Sequence, residues 1–497
     1  MSSYSPSGVK TETFSYENFQ GLDSSRDITS LDTGKDQHLV TIDNAYCDWR
    51  GQIVREPSVS LRNSAAKVTH VTHYKSNGVV WAEETGASMN FKSDSEHFIN
   101  EVHPNSSVIT STIFNNRVQL ASKGRPVYFY DGASFSRNQS VALNTLLPAF
   151  ITSVQSRMAV AGVSASGTTV HLSRVNNDDI FPDDEPTDSE NVLRAGRIDI
   201  ANLLGTADEI TALGSFEQNR LVLFTADRAI IYKIDPNIDN WRLDDDTFIN
   251  IGCASHNTIV NAGTDLIFCS RSGIHSIKRS EENGILVYSF SLSDKVDLLY
   301  RELFNSVVNS QEISAVFDQD EAQYHIFFPQ GDTCKRLTLT LNPEGDAPAP
   351  KFSTGSFINS RCGSFLAGDL VFGTNGGVYN VNKIESVDGF NPTVSFTTPL
   401  LWHGSLSRTK ETHSIILQAA GKGMVTMDAQ DLNGNQLGSL VFEVDDTKDD
   451  NHFVGVALSK QYERKWSHRY KAAQYTFKID SGEGLLRVIG FAVLVKG

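Results

Sequence analysis

The residues of this sequence best suited to binding a metal ion are two histidines and one Cys-His pair. His70 and His73 lie three positions apart, and Cys253 and His256 have the same spacing. Side chains three positions apart on a strand point to opposite faces, so His70 and His73 are not expected to share an ion. Cys253 and His256 lack a second Cys or His pair at the spacing that completes a zinc site. We therefore predict structural roles for all four residues.

Carboxylates are concentrated in one loop, residues 182–190. Its Asp183, Asp184, Glu185 and Asp188 offer oxygen ligands for a hard cation, but the loop lacks the glycine and the regular ligand spacing of a calcium loop. A solvated acidic loop is the preferred interpretation, and the aspartates at 244–246 are interpreted in the same way. A pair of glycosidase carboxylates stays open as an alternative, because a sequence does not give the distance between them.

Motifs for the common hydrolase and nucleotide-binding chemistries are missing from the sequence. It contains no GxSxG elbow, no HExxH helix and no GxxxxGK[ST] loop. We therefore predict no enzyme activity, no catalytic residue, no cofactor and no metal site. A basic cluster at 464–469, which includes Trp466 and is followed by Tyr470, could contact phosphate. In an acidic chain it is better interpreted as a solvated or subunit-facing loop.

Composition limits the class of protein. The 497 residues carry a formal net charge of -16 with 39% hydrophobic content, which is ordinary for a globular chain and argues against a basic sheath around nucleic acid. No apolar run reaches the length of a membrane span, and the first residues lack the features of a signal peptide. The five cysteines are far apart and form no CxxC pair, which favours folding in a reducing cytoplasm.

Short hairpin patterns recur through most of the chain. Residues 251–279 show the pattern clearly, with two apolar runs joined at Ser272-Gly273. Similar units recur at roughly fifty-residue spacing. The seven predicted hairpins are 68–81, 117–130, 157–173, 220–233, 264–279, 314–328 and 369–381. One hairpin buries only one face, whereas blades stacked around an axis bury both. The predicted fold is all-β, a β-propeller of six or seven blades followed by a C-terminal β-sandwich-like domain.

Changes in composition and in the length of the predicted strands divide the chain into three parts. Residues 1–40 are polar and predict an extended arm, residues 41–388 the propeller, and residues 389–497 the sandwich, with longer strands. Two short helices are predicted, at 198–213 and 294–307, the second capped by Ser293.

Several of these stretches resemble a known family. They are GQIVREP at 51–57, RLVLFTADRAIIYKID at 220–235, the 251–279 stretch, ISAVFDQDEAQYHIFFP at 313–329, GDLVFGTNGGVYNVN at 368–382 and the terminal LLRVIGFAVLVKG. In this order they resemble the propeller-type tail hub or nozzle proteins of short-tailed bacteriophages, also described as tail tubular protein B or packaged-DNA stabilisation proteins. The likeness covers roughly residues 20 to 497 and consists of strand patterns.

The resemblance implies a structural virion protein of the phage tail, assembled in the host cytoplasm. It implies a homohexameric ring below the portal and adaptor that continues the DNA ejection channel, closes it with a tail needle or plug, and anchors tail fibres or tailspikes. Double-stranded DNA would pass through without sequence-specific binding. The arm and the sandwich are the expected ring and adaptor contacts. One alternative is a carbohydrate-binding, receptor-recognition propeller that presents Trp241, Trp466 and Phe181; a glycosidase is a further one.

Overall fold

The computed structural model describes most of the chain. The described residues are 11–31, 37–75, 78–86, 88–104, 108–163, 166–186, 193–204, 208–244, 249–263, 265–279, 286–288, 291–341, 350–382, 392–404, 407–445, 460–480 and 486–496. The N-terminal part contains seven strands: β1 (Thr11–Glu17), β2 (Phe19–Leu22), β3 (Gln37–Leu39), β4 (Thr41–Asp43), β5 (Ala45–Cys47), β6 (Ile53–Arg55) and β7 (Ser58–Ser64).

Seven four-stranded antiparallel blades follow in the described ranges. Blades one to three are β8–β11 (Lys67–Tyr74, Gly78–Thr85, Ser88–Ser93, Phe98–Pro104), β12–β15 (Thr110–Phe114, Arg117–Ala121, Tyr128–Tyr130, Phe135–Arg137) and β16–β19 (Phe150–Val154, Arg157–Ala161, Thr169–Leu172, Gly196–Asp199). Blades four to six are β20–β23 (Ala212–Phe216, Arg220–Phe224, Ala229–Lys233, Arg242–Leu243), β24–β27 (Val260–Ala262, Asp265–Ser270, Gly273–Arg279, Leu286–Tyr288) and β28–β31 (Ser314–Asp318, Gln323–Gln330, Thr333–Thr340, Lys351–Gly355). Blade seven is β32–β34 (Cys362–Leu366, Asp369–Gly373, Gly377–Asn382) completed by β7.

The blades form a closed ring. The first strand of each blade contacts the first strand of the next, and β32 of blade seven contacts β8 of blade one. The ring closes because β7, which precedes blade one in the chain, pairs with β34 from Gly377↔Ser64 to Asn382↔Ser58. Six blades are separate sheets, whereas blade six continues into a nine-stranded sheet. The predicted propeller is confirmed.

Each predicted hairpin is present as a pair of neighbouring strands. The pairs are β8–β9, β13–β14, β17–β18, β21–β22, β25–β26, β28–β29 and β33–β34. Their strands are buried on both faces: in β21, Leu221, Val222, Leu223 and Phe224 are all inaccessible to solvent. Neighbouring blades cover the two faces of a blade, which explains the continuous apolar runs in the sequence.

The C-terminal strands form a β-sandwich. They are β35 (Val394–Thr397), β36 (Lys410–Ala420), β37 (Lys422–Asp431), β38 (Gln436–Asp445), β39 (Lys460–Lys465), β40 (Arg469–Tyr470), β41 (Ala473–Asp480) and β42 (Arg487–Lys496). One sheet contains β36, β39, β40 and β42, and the other β35, β37, β38 and β41. Aromatic rings fill the space between them: Phe477 lies 4.8 Å from Phe396 of its own sheet and 5.1 Å from Phe491 of the facing sheet.

The sheets of the sandwich also contain the N-terminal strands β1, β4, β5 and β6. β1 pairs with β42 through seven residue pairs, β6 pairs with β42, and β4 pairs with β35. The predicted arm over 1–40 and the predicted start of the propeller at 41 need correction: β1, β4, β5 and β6 lie in the sheets of the sandwich, and the first propeller strand is β7. The partners of β1, β4 and β6 in β35 and β42 are more than 300 residues away in the chain, so no local pattern reveals them. β2 pairs with β3 in a separate sheet, and Leu22 of β2 packs in the core of blades five and six. Residues 1–10 and 32–36 lie outside the described ranges.

Helices are few and short in the described ranges: α1 (Val141–Leu146), α2 (Ala201–Leu204) and α3 (Asp297–Ser306). The helix predicted at 294–307 is confirmed, although Ser293 does not cap it and instead accepts a hydrogen bond from the Ile274 N–H at 3.0 Å. The helix predicted at 198–213 is shorter in the structure: it is the single turn α2, since β19 ends at Asp199 and β20 begins at Ala212. Residues 205–207 lie outside the described ranges. No described helix is long and apolar enough to cross a bilayer.

The sandwich core contains a buried histidine that should make folding sensitive to acid. His403 lies between the hydroxyls of Tyr16 (2.9 Å) and Tyr475 (3.1 Å). Burial, with the Lys410 charge adding to it, lowers the pKa of His403 to about 3. The unfolded chain binds this proton near pH 6.5 and the folded chain does not, so the stabilisation is full above pH 6.5 and is lost as the pH falls towards 3.

We expect His403→Gln to reduce this acid sensitivity. Between pH 8 and pH 5 the wild-type protein should lose about 2 kcal/mol more unfolding free energy than the variant. Urea unfolding at the two pH values measures the difference. His413→Gln is the control, since His413 is exposed on β36; an equal acid loss in wild type and His403→Gln would contradict the prediction.

Candidate ligand site at the propeller axis

The histidine pair singled out by spacing is divided between two blade interfaces. His70 Nε2 lies 2.8 Å from Ser111 Oγ of blade two. His73 Nδ1 lies 2.8 Å from Ser364 Oγ of blade seven, and its Nε2 is 3.4 Å from Asp369. The prediction that these side chains point to opposite faces is confirmed. Among the described residues, no three His, Cys, Asp or Glu side chains form a group suited to a metal ion.

The acidic loop distributes its described carboxylates among three different partners. Asp184 accepts hydrogen bonds from the Ser140 hydroxyl at 2.6 Å and the Ala142 N–H at 3.0 Å, at the start of α1. Glu185 accepts the Ala195 N–H at 2.9 Å, and Asp183 pairs with Arg197 at 2.8 Å. These three carboxylates serve local structure and do not converge. Asp188, like Asp245 and Asp246, lies outside the described residues, and Asp244 accepts a hydrogen bond from Arg220.

The basic cluster at 464–469 lies on the sandwich. Trp466 and Tyr470 are buried in the sandwich core, so neither ring is free to stack on a nucleic-acid base. Arg469 pairs with Glu411 at 3.2 Å, and Arg464 donates to the Val441 carbonyl at 3.3 Å. The cluster ties strands of the sandwich together.

The aromatic residues proposed for glycan contact are also mostly internal. Phe181 is fully buried and Trp466 is 5% exposed. Trp241 is half-buried: its Nε1–H donates to the Asp235 carbonyl at 2.7 Å, and the Arg157 guanidinium lies 5.3 Å from its ring centre. These three residues do not form a binding surface.

The five cysteines are buried in the described structure. Burial raises the pKa of the Cys253, Cys269, Cys334 and Cys362 thiols to about 12, and that of Cys47 to the same value. Because the thiolate is the reactive form, we expect the native protein to react with fewer than one equivalent of iodoacetamide at pH 8, and the urea-unfolded protein with five. Mass spectrometry counts the adducts; rapid labelling of a native thiol would contradict the prediction.

Residues 253–258 cross the propeller axis. This segment connects blade four to blade five, and its side chains reach four other elements of the ring. The Ser255 hydroxyl donates to the Ile313 carbonyl at 2.6 Å, before blade six. Asn257 Nδ2 donates to the Ile109 carbonyl at 2.9 Å, before blade two. Since all these contacts lie where the first strands of the blades begin, we call residues 253–258 the axial segment.

His256 holds the axial segment against blades three and four. Its Nδ1 accepts the Leu213 N–H at 3.1 Å, and its ring stacks on Phe150 with 5.5 Å between ring centres. Burial lowers the pKa of His256 to about 4, so the ring is neutral at physiological pH and Nδ1 can accept this bond. Gly252 precedes the segment and lies against the Thr225 carbonyl, where a Cβ would collide. The sequence motif CASHN is thus a structural element of the axis.

A cavity of about 380 Å³ lies beside the axial segment on the same face of the ring. It is lined by residues from blades two, three, four and six: Val108, Ser122, Lys123, Ala149, Phe150, Gly162, Glu209, Ile210, Thr211, Asn309 and Gln311. The axial segment backs it, because Phe150 stacks on His256 and Gln311 Nε2 donates to the Ala254 carbonyl at 3.0 Å. Its size falls within the range of about 300–1,000 Å³ typical of small-molecule sites.

Comparison with known proteins assigns no family and finds only remote structural matches. No family model and no curated protein matches the sequence. The streptogramin B lyase structure matches with a TM-score of 0.40 and 9% identity, covering 67% of this chain and 99% of its own. BamB from Moraxella catarrhalis matches with a TM-score of 0.33 and 9% identity, covering 66% of this chain and 96% of its own. YCF48 from Cyanidioschyzon merolae matches with a TM-score of 0.35 and 8% identity, covering 65% of this chain and 98% of its own. None of these three is a phage tail protein, so the family resemblance stays a prediction.

The residues of the axial cavity were not singled out by sequence reasoning. They belong to connections that are separated by up to about two hundred residues in the chain, and each is unremarkable where it stands. The one available signal was the stretch at 251–279, which was identified for its hairpin and whose first residues form the back of the site. Side chains from separate loops of a ring meet only after the ring has closed.

Proposed function

We propose that this chain is a non-enzymatic structural protein of a phage virion, of the tail hub or nozzle class. The observation that carries the proposal is the construction of the molecule. β1 and β42, the first and last described strands, pair within one sandwich, which shares a sheet with blade six through β4 and β31. A propeller joined to a β-rich platform is the architecture that the family resemblance implies. A localisation in the phage tail follows from it.

Buried contacts support the junction between platform and propeller. The Thr354 hydroxyl of blade six donates to the Ile42 carbonyl of the sandwich at 2.6 Å. Glu56, immediately before β7, forms an ion pair with Arg336 of blade six, and both side chains are more than nine-tenths buried. Breaking such a pair leaves an uncompensated buried charge, which is costly. Such contacts would hold the platform and the propeller in a fixed relation, which a structural component of a DNA-ejecting tail requires.

The placement of the reactive residue types supports a structural role. The histidines, cysteines and carboxylates considered above contact neighbouring blades, helix ends or loop backbone. Burial suppresses the ionised form of each cysteine thiol, which is the form a nucleophile needs. These observations favour a mechanical function over catalysis.

The net charge is compatible with a DNA conduit. Each chain carries -16, so a hexamer would carry about -96. An acidic lumen offers no cationic contacts to phosphate, and a duplex could slide through it without being held. The proposed partners are further copies of the chain, the portal-adaptor complex, fibres or spikes, and a needle or plug.

Assembly tests the proposal. Mixed with a purified portal-adaptor complex of a short-tailed phage from the same source, the full chain should form a six-fold ring, seen by native mass spectrometry and electron microscopy. Thr13→Ala, an exposed change in β1, should assemble normally. Tyr16→Ala, which weakens the sandwich, should assemble poorly. A chain that stays monomeric and does not bind the complex would overturn the proposal, as would a ring whose lumen is lined mainly by Lys and Arg.

A further inference from the structure

We infer that the axial cavity binds a neutral sugar of one or two rings. The inference is independent of the proposed structural role and uses residues other than the aromatics considered for glycan contact from the sequence. It is carried by the chemistry of the cavity lining, which combines an apolar floor with a polar rim.

The floor of the cavity has the character of a small apolar platform. Phe150, Ala149 and Ile210 line it. Phe150 is held in place, because His256 stacks on its ring and the backbone of Gly162 approaches closely. A Cβ at position 162 would lie 2.8 Å from a Phe150 ring carbon, and the φ angle of Gly162 is +72°, so glycine is required here on both counts. A rigid aromatic ring suits the apolar face of a pyranose.

The rim of the cavity has hydrogen-bond donors and acceptors, and it carries charges of both signs. Lys123, Glu209 and Asn309 are exposed there, and the buried Ser122 lies deeper. A lysine only donates, a carboxylate only accepts, and an amide or hydroxyl does both. Sugar hydroxyls also donate and accept, so they can satisfy all of these groups. A singly charged ligand would meet one rim residue of its own sign, which favours a neutral ligand.

An exposed apolar residue next to the rim agrees with a surface that receives a partner molecule. Val308 is 98% exposed and adjoins Asn309 in the connection before blade six. Isolated exposed apolar residues are common, so the relevant feature of Val308 is its position beside the cavity.

Saturation-transfer-difference NMR on the full chain tests the inference. The probes are a panel of neutral hexoses, N-acetylhexosamines and their disaccharides, with glycine and phenylalanine as zwitterionic comparators. We expect transfer to the ring protons of at least one sugar. Phe150→Ala should weaken its binding by tenfold or more, and Asn309→Ala and Glu209→Gln by about three- to tenfold each. Phe98→Ala is the matched control, since Phe98 is 62% exposed on β11 and does not line the cavity.

The two rim variants, Asn309→Ala and Glu209→Gln, still test the inference if Phe150→Ala does not fold. Glu209 is exposed, so Glu209→Gln should leave the fold intact. Asn309 is also exposed, but its Oδ1 accepts the Gln311 N–H at 3.2 Å, so circular dichroism checks the fold of both variants and Glu209→Gln carries the test if Asn309→Ala is perturbed. The inference is overturned if no sugar of the panel shows transfer, if the amino acids bind and the sugars do not, or if the rim variants bind the sugar as tightly as wild type.

Discussion

Replacing Arg157 by alanine is expected to destabilise the propeller by about 3–5 kcal/mol. The guanidinium is completely buried in blade three and donates to three backbone carbonyls, of Ser173 (2.8 Å), Arg194 (2.5 Å) and Pro236 (2.7 Å). Burial lowers the pKa of Arg157 to about 10, which leaves it charged at neutral pH. Alanine would leave three acceptors without this donor and a cavity beside Trp241.

Urea unfolding followed by tryptophan fluorescence and circular dichroism measures the loss for Arg157→Ala. Arg197→Ala is the matched control from the same blade, because Arg197 and its partner Asp183 are both more than half exposed. An exposed pair of this kind contributes about 0–1 kcal/mol. If the two substitutions lowered the unfolding free energy by a similar, small amount, Arg157 would not join the loops of blades three and four.

Tyr16→Ala should cost about 3–5 kcal/mol, although Tyr16 lies in the segment that the sequence suggests is an arm. Its ring is 7% exposed and stacks on Phe491 at 4.9 Å, and its hydroxyl lies 2.9 Å from His403 Nδ1. The substitution removes an aromatic ring from the sandwich core and a hydrogen-bond partner from a buried histidine. Hydrogen exchange of residues 487–496, measured by mass spectrometry, should increase because β42 pairs with β1.

Thr13→Ala separates loss of the core from any general effect of changing β1. Thr13 is exposed on the same strand, and its change should alter the unfolding free energy by no more than about 0.5 kcal/mol. A chain that begins at residue 41 is the stronger test, since it removes β1, β2 and β3 together. If that chain folded as stably as the full one, the N-terminal strands would have no part in the core.

Local patterns in the sequence were sufficient for the blades. Each hairpin needs only turn residues between two apolar runs, and both are near neighbours in the chain, as Ser272-Gly273 shows between β25 and β26. The helix α3 was predictable for the same reason, because its apolar residues recur at helical spacing. At 198–213 the described helix is only the turn α2, because β19 and β20 at either end of the segment pair with strands of blades three and four.

The chain alone therefore determined an all-β repeat fold, its hairpins and the opposite orientations of His70 and His73, because these depend on strand geometry and neighbouring residues. Only the tertiary structure decided that Thr11–Glu17 pairs with Arg487–Lys496, that Ser58–Ser64 closes the ring, and that Phe150 and Asn309 line one cavity. These contacts join residues between about 160 and 480 positions apart. Their partners are selected by the burial of complementary surfaces once the ring has formed. Local patterns in the sequence do not predict which distant segments will pair.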